Sequence, residues 1–371
     1  MGSRGVYKVG ERIFENKLEA LLHANSTRQQ VIWDFFNSRF ATVNWTRPLN
    51  VPLKELYRLR AQQLREKYDY LVLHYSAGSD STNVLRSFID NGIKLDEVFV
   101  RWPIRLAEAT PYSNSSDPTN YLNEWNITIK PALTKLRSEH PELKISVKDT
   151  SDGFREQLSS VSDKDIHVKT GGQHFSPMSF NSISISSDSE IAALDSNIKI
   201  ASIFGIGKPI LREDNGRIYT YFSDYAINSA GHRQNLEPFY WTPDFPEIVV
   251  EQVHLILNVI RANPFLESII NNRENSLSNS LNPIVAEQAM KKILYPDWDL
   301  NTFQLKKTFG FDNAYNDFLF NSTELDQGLD RYKWHLKDLL SGLSRDNIFW
   351  IDGKPNGIRG MNSPAYFVGC L

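Results

Sequence analysis

A chain of 371 residues with 41% hydrophobic and 12% aromatic side chains can bury a large core, which excludes an intrinsically disordered protein. Its formal net charge of −3 gives no reason to expect the strongly cationic surface that nucleic-acid binders use. Cys370 is the only cysteine, so an internal disulfide and a cysteine-ligated zinc or iron–sulfur centre are excluded, and a reducing compartment is expected.

No apolar leader opens the sequence, and no run approaches the roughly 18 uncharged apolar residues of a membrane span. A cytoplasmic protein without a membrane partner is the expectation. Sequons at Asn25, Asn44, Asn114, Asn126 and Asn321 carry no weight without a secretory signal.

Residues 1–45 read as a small N-terminal cap. Val6-Tyr7-Lys8-Val9 and Arg12-Ile13-Phe14 flank Gly10-Glu11 like a hairpin, and a helix over Lys17 to His23 follows. Pro48 and Pro52 break the chain, and Val51 to Lys67 forms an amphipathic helix carrying Leu53, Leu56, Tyr57, Leu59 and Leu64. Next comes Tyr70-Leu71-Val72-Leu73-His74-Tyr75, whose unbroken apolar run suits a parallel strand buried on both faces. It stops abruptly in Ser76-Ala77-Gly78-Ser79-Asp80-Ser81-Thr82. From Thr82 the period changes to 3.6, with Val84, Leu85, Phe88 and Ile89 on one face and Gly92 as a stop. A loop of small residues that opens a helix behind a strand is an anion cradle, because the first-turn N–H groups lack internal partners and sit at the positive end of the helix dipole. The same residues would also suit a plain turn and N-cap.

Glu97 to Trp102 is a second strand, reached by a helical crossover. A helix over Thr119 to His140, a strand at Lys144 to Val147, a helix over Ser186 to Leu194 and a strand at Asn197 to Phe204 continue the alternation. This pattern predicts an α/β domain over 46–235, a parallel sheet with helices on both faces. Ile203-Phe204-Gly205-Ile206-Gly207-Lys208-Pro209 closes the fourth strand; it is no Walker A loop, since Pro209 stands where Ser or Thr is needed. Asn215-Gly216 then marks a hairpin. From Leu236 to 371 the texture becomes mainly helical: Val249, Val253, Ile256, Leu257 and Ile260 stripe one helix, a second begins at Asn282-Pro283, and a third runs over Thr323 to Leu343. The eight histidines form no metal-spaced pair, and His167 and His174 suit a loop or a satisfied core.

The segment Ser76-Ala77-Gly78-Ser79-Asp80-Ser81 resembles the Ser-Gly-Gly-x-Asp-Ser signature of the PP-loop ATP pyrophosphatases, the adenine nucleotide alpha hydrolase-like superfamily, with the strand before and the helix after where that family has them. Ala77 replaces the first glycine. If that position needs a positive φ, alanine costs about 1 kcal/mol. The resemblance spans mainly residues 69–102 and, more weakly, 198–212.

What the resemblance implies is cleavage of ATP to AMP and pyrophosphate with magnesium, to adenylate an acceptor. Ser76, Ala77, Gly78, Ser79, Asp80, Ser81 and Thr82 would hold the phosphates, and Val100 and Arg101, at the end of the second strand, would lie beside the adenine. Asp80 would bind the metal or anchor the loop, and Lys208 would offset transition-state charge; a solvated turn lysine is the alternative for Lys208. With a single cysteine, nitrogen transfer to an unidentified acceptor is favoured over sulfur chemistry. The amine would come from ammonia or an amine-supplying partner, since no N-terminal glutaminase is visible. A phosphoadenylyl sulfate reductase-like enzyme using Cys370, and a nucleotide-binding module without catalysis, are the alternatives.

Overall fold

The structure is a computed structural model that describes residues 5–102, 104–108, 124–151, 186–206, 209–224, 227, 235–263, 290–296, 298, 326–351 and 353–371. The chain opens with strands β1 (Val6–Val9) and β2 (Arg12–Phe14), turning at Gly10 with φ 57°. Helix α1 (Lys17–Thr27) follows, capped by the Asn16 side chain, which accepts from the Leu18 and Glu19 amides. Strand β3 (Val31–Asp34), which periodicity did not reveal, pairs with β1 to complete an antiparallel sheet of order β2-β1-β3. After the short helix α2 (Asn37–Phe40), α3 (Leu53–Lys67) leads into β4 (Tyr70–His74), and α4 (Ser79–Ile89) leads out of it. Helix α4 begins at Ser79, three residues earlier than its apolar period suggests, because its first turn is polar yet buried.

Strand β5 (Glu97–Trp102), helices α5 (Ile104–Glu108) and α6 (Lys130–Glu139), β6 (Lys144–Asp149), α7 (Asp188–Leu194) and β7 (Ile200–Phe204) continue the alternation. Strands β8 (Ile210–Asp214) and β9 (Arg217–Tyr221) form the expected hairpin, with Asn215 at φ 52° and Gly216 at φ 76°, both in the left-handed region that a two-residue primed turn requires. Then come β10 (Leu236–Pro238), α8 (Glu247–Ala262), a helical stretch at 290–294, α9 (Asp326–Gly342), and strands β11 (Ile348–Ile351), β12 (Lys354–Ile358) and β13 (Tyr366–Cys370).

The five strands β10-β7-β4-β5-β6 form one parallel sheet. By order of appearance this is third, second, first, fourth, fifth read from β6, so the chain fills one side of β4 before returning to β7 on the other side. Between β4 and β7 lies a topological switch point, the place where the exits of adjacent strands diverge and leave a crevice. Leu71, Leu73, Val98, Val100, Ala201 and Ile203 face a core shared with Leu56 and Leu64 of α3, Val84 and Phe88 of α4, and Val249 and Val253 of α8. Helix α7 covers the opposite face, so the sheet carries helices on both sides.

Two expectations change. The boundary after 235 falls inside the sheet, because Leu236–Pro238 is its last strand. Glu237 and Pro238 are poor strand formers, tolerated here at the sheet edge; the Arg60 guanidinium (2.8 Å) and the Lys67 ammonium (2.8 Å) hold the Glu237 carboxylate and fix β10 against α3. Among the described residues, the region after 236 also carries strands that its helical stripes do not suggest: β11 and β12 form a hairpin, and β13 pairs with β9. Buried side chains of residues 1–45, such as Tyr7, Trp33 and Phe40, belong to the same contiguous core as the parallel sheet. Lys17, Tyr7 and the Met361 amide converge on Asp224, an ion pair of 2.8 Å that ties the N-terminal unit to the C-terminal segment. Burial lowers the Lys17 pKa from its ordinary value, against the pull of Asp224.

Candidate functional site

The loop after β4 is built by its own hydroxyls. The Tyr75 amide donates to the Phe99 carbonyl at 2.9 Å, extending the sheet by one residue beyond His74. Ser76 N–H then donates to Ser81 Oγ (3.3 Å), Ser81 Oγ donates to the Gly78 carbonyl (3.2 Å), and Thr82 Oγ1 meets the Tyr75 hydroxyl (3.3 Å). These contacts fold residues 76–82 back on themselves. Ala77 sits at φ 54°, the left-handed conformation that glycine adopts without strain, and its methyl group is buried. Gly78 is the N-cap of α4 and supplies no side chain, so no side chain caps the first turn.

The expected phosphate ligands are therefore not equivalent. Ser79, Ser81 and Thr82 are buried, and the hydroxyls of the last two are committed inside the loop. Ser76, Gly78 and Asp80 are the half-exposed members. Val100 is buried in the main core, so only its backbone can face a ligand. Arg101 lies one position further along β5, on the His74 and Phe99 face by strand alternation, and is half-buried.

Across the switch point the exit of β7 touches this helix. A Cβ on Gly205 would stand 2.9 Å from the Asp80 carbonyl carbon and 3.0 Å from the Ser81 nitrogen, so only glycine permits the approach. The two loops singled out in the sequence are thus in contact. Gly207 and Lys208 lie outside the described residues, as do His167, His174 and the helix start at Asn282-Pro283.

Sequence reasoning passed over His74, Glu190 and Ser202. Glu190 Oε1 receives His74 Nε2 at 2.8 Å and also the Ser202 hydroxyl, while Oε2 receives the Ser187 amide at 2.6 Å. These donors, the His74 side chain first among them, hold the Glu190 carboxyl down at about 2 despite the burial that would raise it. An ionised carboxylate only accepts, so His74 Nε2 carries the proton. The imidazole stacks on Phe204 with ring centroids 4.2 Å apart and meets Phe99 edge-on at 5.2 Å. The Ser187-x-x-Glu190 capping box was a legible signal, but not its second use.

Asp80 has partners from the C-terminal region. The Tyr295 hydroxyl donates to Asp80 Oδ1, and the Tyr240 hydroxyl donates to the Asp80 carbonyl at 2.8 Å. Among the described residues no group of three or more His, Cys, Asp or Glu side chains is placed to hold a metal ion. One carboxylate beside hydroxyls fits a magnesium ion that nucleotide phosphates carry with them, the usual arrangement for that cation, and Asp80 is the residue that would touch it. A broad concavity lined by Asn126, Lys130 and Lys135 shares no residue with the loop.

No helix among the described residues is long and apolar enough to cross a membrane. No protein-family model, no curated protein and no solved structure matches the chain.

Proposed function

We propose that this chain is a cytoplasmic ATP-binding enzyme of the PP-loop, adenine nucleotide alpha hydrolase-like type, which cleaves ATP to AMP and pyrophosphate and transfers the adenylate to an acceptor for nitrogen attack. What carries the reading is the meeting of loop 76–82 with Gly205 at the switch point of the parallel sheet, where α/β sheets bind their ligands. In this reading the Ser76 hydroxyl and the first-turn N–H groups of α4 hold the phosphates, Lys208 offsets developing charge, and Val100 and Arg101 flank the base. Magnesium, held by Asp80 and the phosphates, would neutralise charge on the leaving pyrophosphate. The acceptor binds on the side of the C-terminal region, with ammonia or an amine-supplying partner as nitrogen source.

The sulfonucleotide reductase alternative needs a mobile thiolate. Cys370 is instead a paired residue of β13, opposite Arg217 in the β13-β9-β8 sheet, and Arg261 donates to its carbonyl at 2.9 Å. A second reading, nucleotide binding without turnover, is favoured by the left-handed Ala77 and by the engagement of Asp80 with Tyr295.

One experiment separates these. Calorimetry with ATP and magnesium is expected to show binding by the full chain and none by a folded Asp80→Ala/Ser81→Ala double variant; equal affinities would sink the assignment. With ammonium and candidate carboxylate acceptors, AMP and pyrophosphate should appear, and Lys208→Met should lower their release about tenfold. Binding without release selects the module.

A further inference from the structure

Three tyrosines from separate parts of the chain surround the first turn of α4. Tyr57 lies on α3, Tyr240 follows β10, and Tyr295 belongs to the segment 290–296 between α8 and α9. The Tyr57 hydroxyl donates to the Leu294 carbonyl at 2.7 Å and receives Gln252 Nε2 at 2.8 Å, which fixes the backbone beside Tyr295. The Tyr295 amide closes a helical turn onto Lys291 at 2.9 Å, and the Tyr295 ring is buried. Its hydroxyl reaches the Asp80 carboxylate. Tyr240, which holds the Asp80 carbonyl, is itself held by Asn83 Nδ2 at 3.0 Å, and its ring centroid lies 6.3 Å from that of Tyr295. Both the side chain and the backbone of one loop residue are therefore gripped by elements that follow the parallel sheet in sequence.

We propose that Tyr295 is a positioning residue that latches the phosphate loop to residues 290–296, so that occupancy of the loop and placement of this C-terminal segment are coupled. The chemistry is an O–H to carboxyl hydrogen bond from a buried tyrosine to a half-exposed side chain, which holds the loop residue in one position. The same carboxylate is the group that a phosphate-borne cation would seek. A ligand that orders the loop with the Tyr295 bond in place orders the segment 290–296 along with it. The coupling rests on the reading of residues 76–82 as a phosphate loop, while the latch itself does not need a ligand to be detected.

The test is amide hydrogen exchange on the full-length chain, read separately over 79–89 and 290–296. Without ligand, Tyr295→Phe, which removes only the hydroxyl, should speed exchange of the α4 amides from Thr82 onward by about tenfold, and Asp80→Ala should do the same over 290–296. Changes confined to the mutated segment in both variants would overturn the latch. With ATP and magnesium, wild type should gain protection over both segments and Tyr295→Phe over 79–89 alone. Equal protection of 290–296 in the two proteins would overturn the coupling. Absence of ATP binding by wild type in calorimetry would instead remove the phosphate-loop reading, and the ligand-free exchange would still decide the latch.

Discussion

Leu71, Leu73, Val98, Val100, Ala201 and Ile203 project from one face of the parallel sheet, and Tyr70, His74, Glu97, Phe99, Ser202 and Phe204 from the other. On β4, β5 and β7 the first face is apolar and packs on α3, α4 and α8; the Glu237 carboxylate, paired with Arg60, sits on the edge strand β10. The second is interrupted by polar groups at both ends. At the strand entrances the Tyr70 hydroxyl (3.2 Å) and the Lys144 ammonium (3.2 Å) meet Glu97; at the exits His74 and Ser202 meet Glu190. Burying a side chain such as Leu73 contributes roughly 1.5–3 kcal/mol through water release and tolerates conservative change. The polar face has a different logic. Each buried polar group there is stable only while its partner is present, so geometry is specified more sharply than on the apolar side. That polar cluster stands next to the loop at the switch point, where positional definition is what a binding site needs.

The comparison can be broken by substitutions of decreasing effect. Leu73→Ala removes a fully buried side chain from the apolar face and should cost about 4 kcal/mol in urea denaturation, by the same amount from pH 7 to pH 3, because no titrating group is involved. Glu190→Gln on the polar face should cost about 3 kcal/mol at pH 7. Since the carboxyl is held near 2 in the fold against 4.5 ordinarily, this stabilisation is complete above the unfolded value and is lost as pH falls through the folded one. The difference between wild type and Glu190→Gln should therefore shrink to about half near pH 3, where the Leu73→Ala difference is unchanged. A pH-independent effect of Glu190→Gln would remove the distinction between the faces. Ala77→Gly should have the smallest effect: release of about 1 kcal/mol of left-handed strain is offset by a similar gain of freedom in the unfolded chain and by a lost buried methyl. A change in the unfolding free energy from urea denaturation beyond about 1 kcal/mol in either direction would show that one of those terms is misjudged.

Legibility followed the range of the interaction. Asn215-Gly216 was readable as a turn because its conformational demand is local. Strand β10 was not, since Leu236-Glu237-Pro238 has neither alternation nor β-branching and is held in the sheet by Arg60, 177 positions away along the chain. The hydroxyls of Ser81 and Thr82 were expected to face phosphate. Their burial follows from a loop that folds back on itself, and residue type alone does not report it.

The amino-acid sequence by itself determined the strand, loop and helix over 70–89, the βα alternation that makes a parallel sheet, and the small residues that leave a helix N-terminus open. Those features depend on periodicity and on φ preferences, which act over a few residues. Only the tertiary structure decided the strand order that puts β7 beside β4, the contact of Gly205 with Asp80, and the left-handed φ of Ala77. It also decided the partners of His74 and Asp80, found 116 and 215 positions away in Glu190 and Tyr295. Contacts of such span leave no periodic trace in a single sequence, because they are selected by the packing of whole elements and not by the local chain.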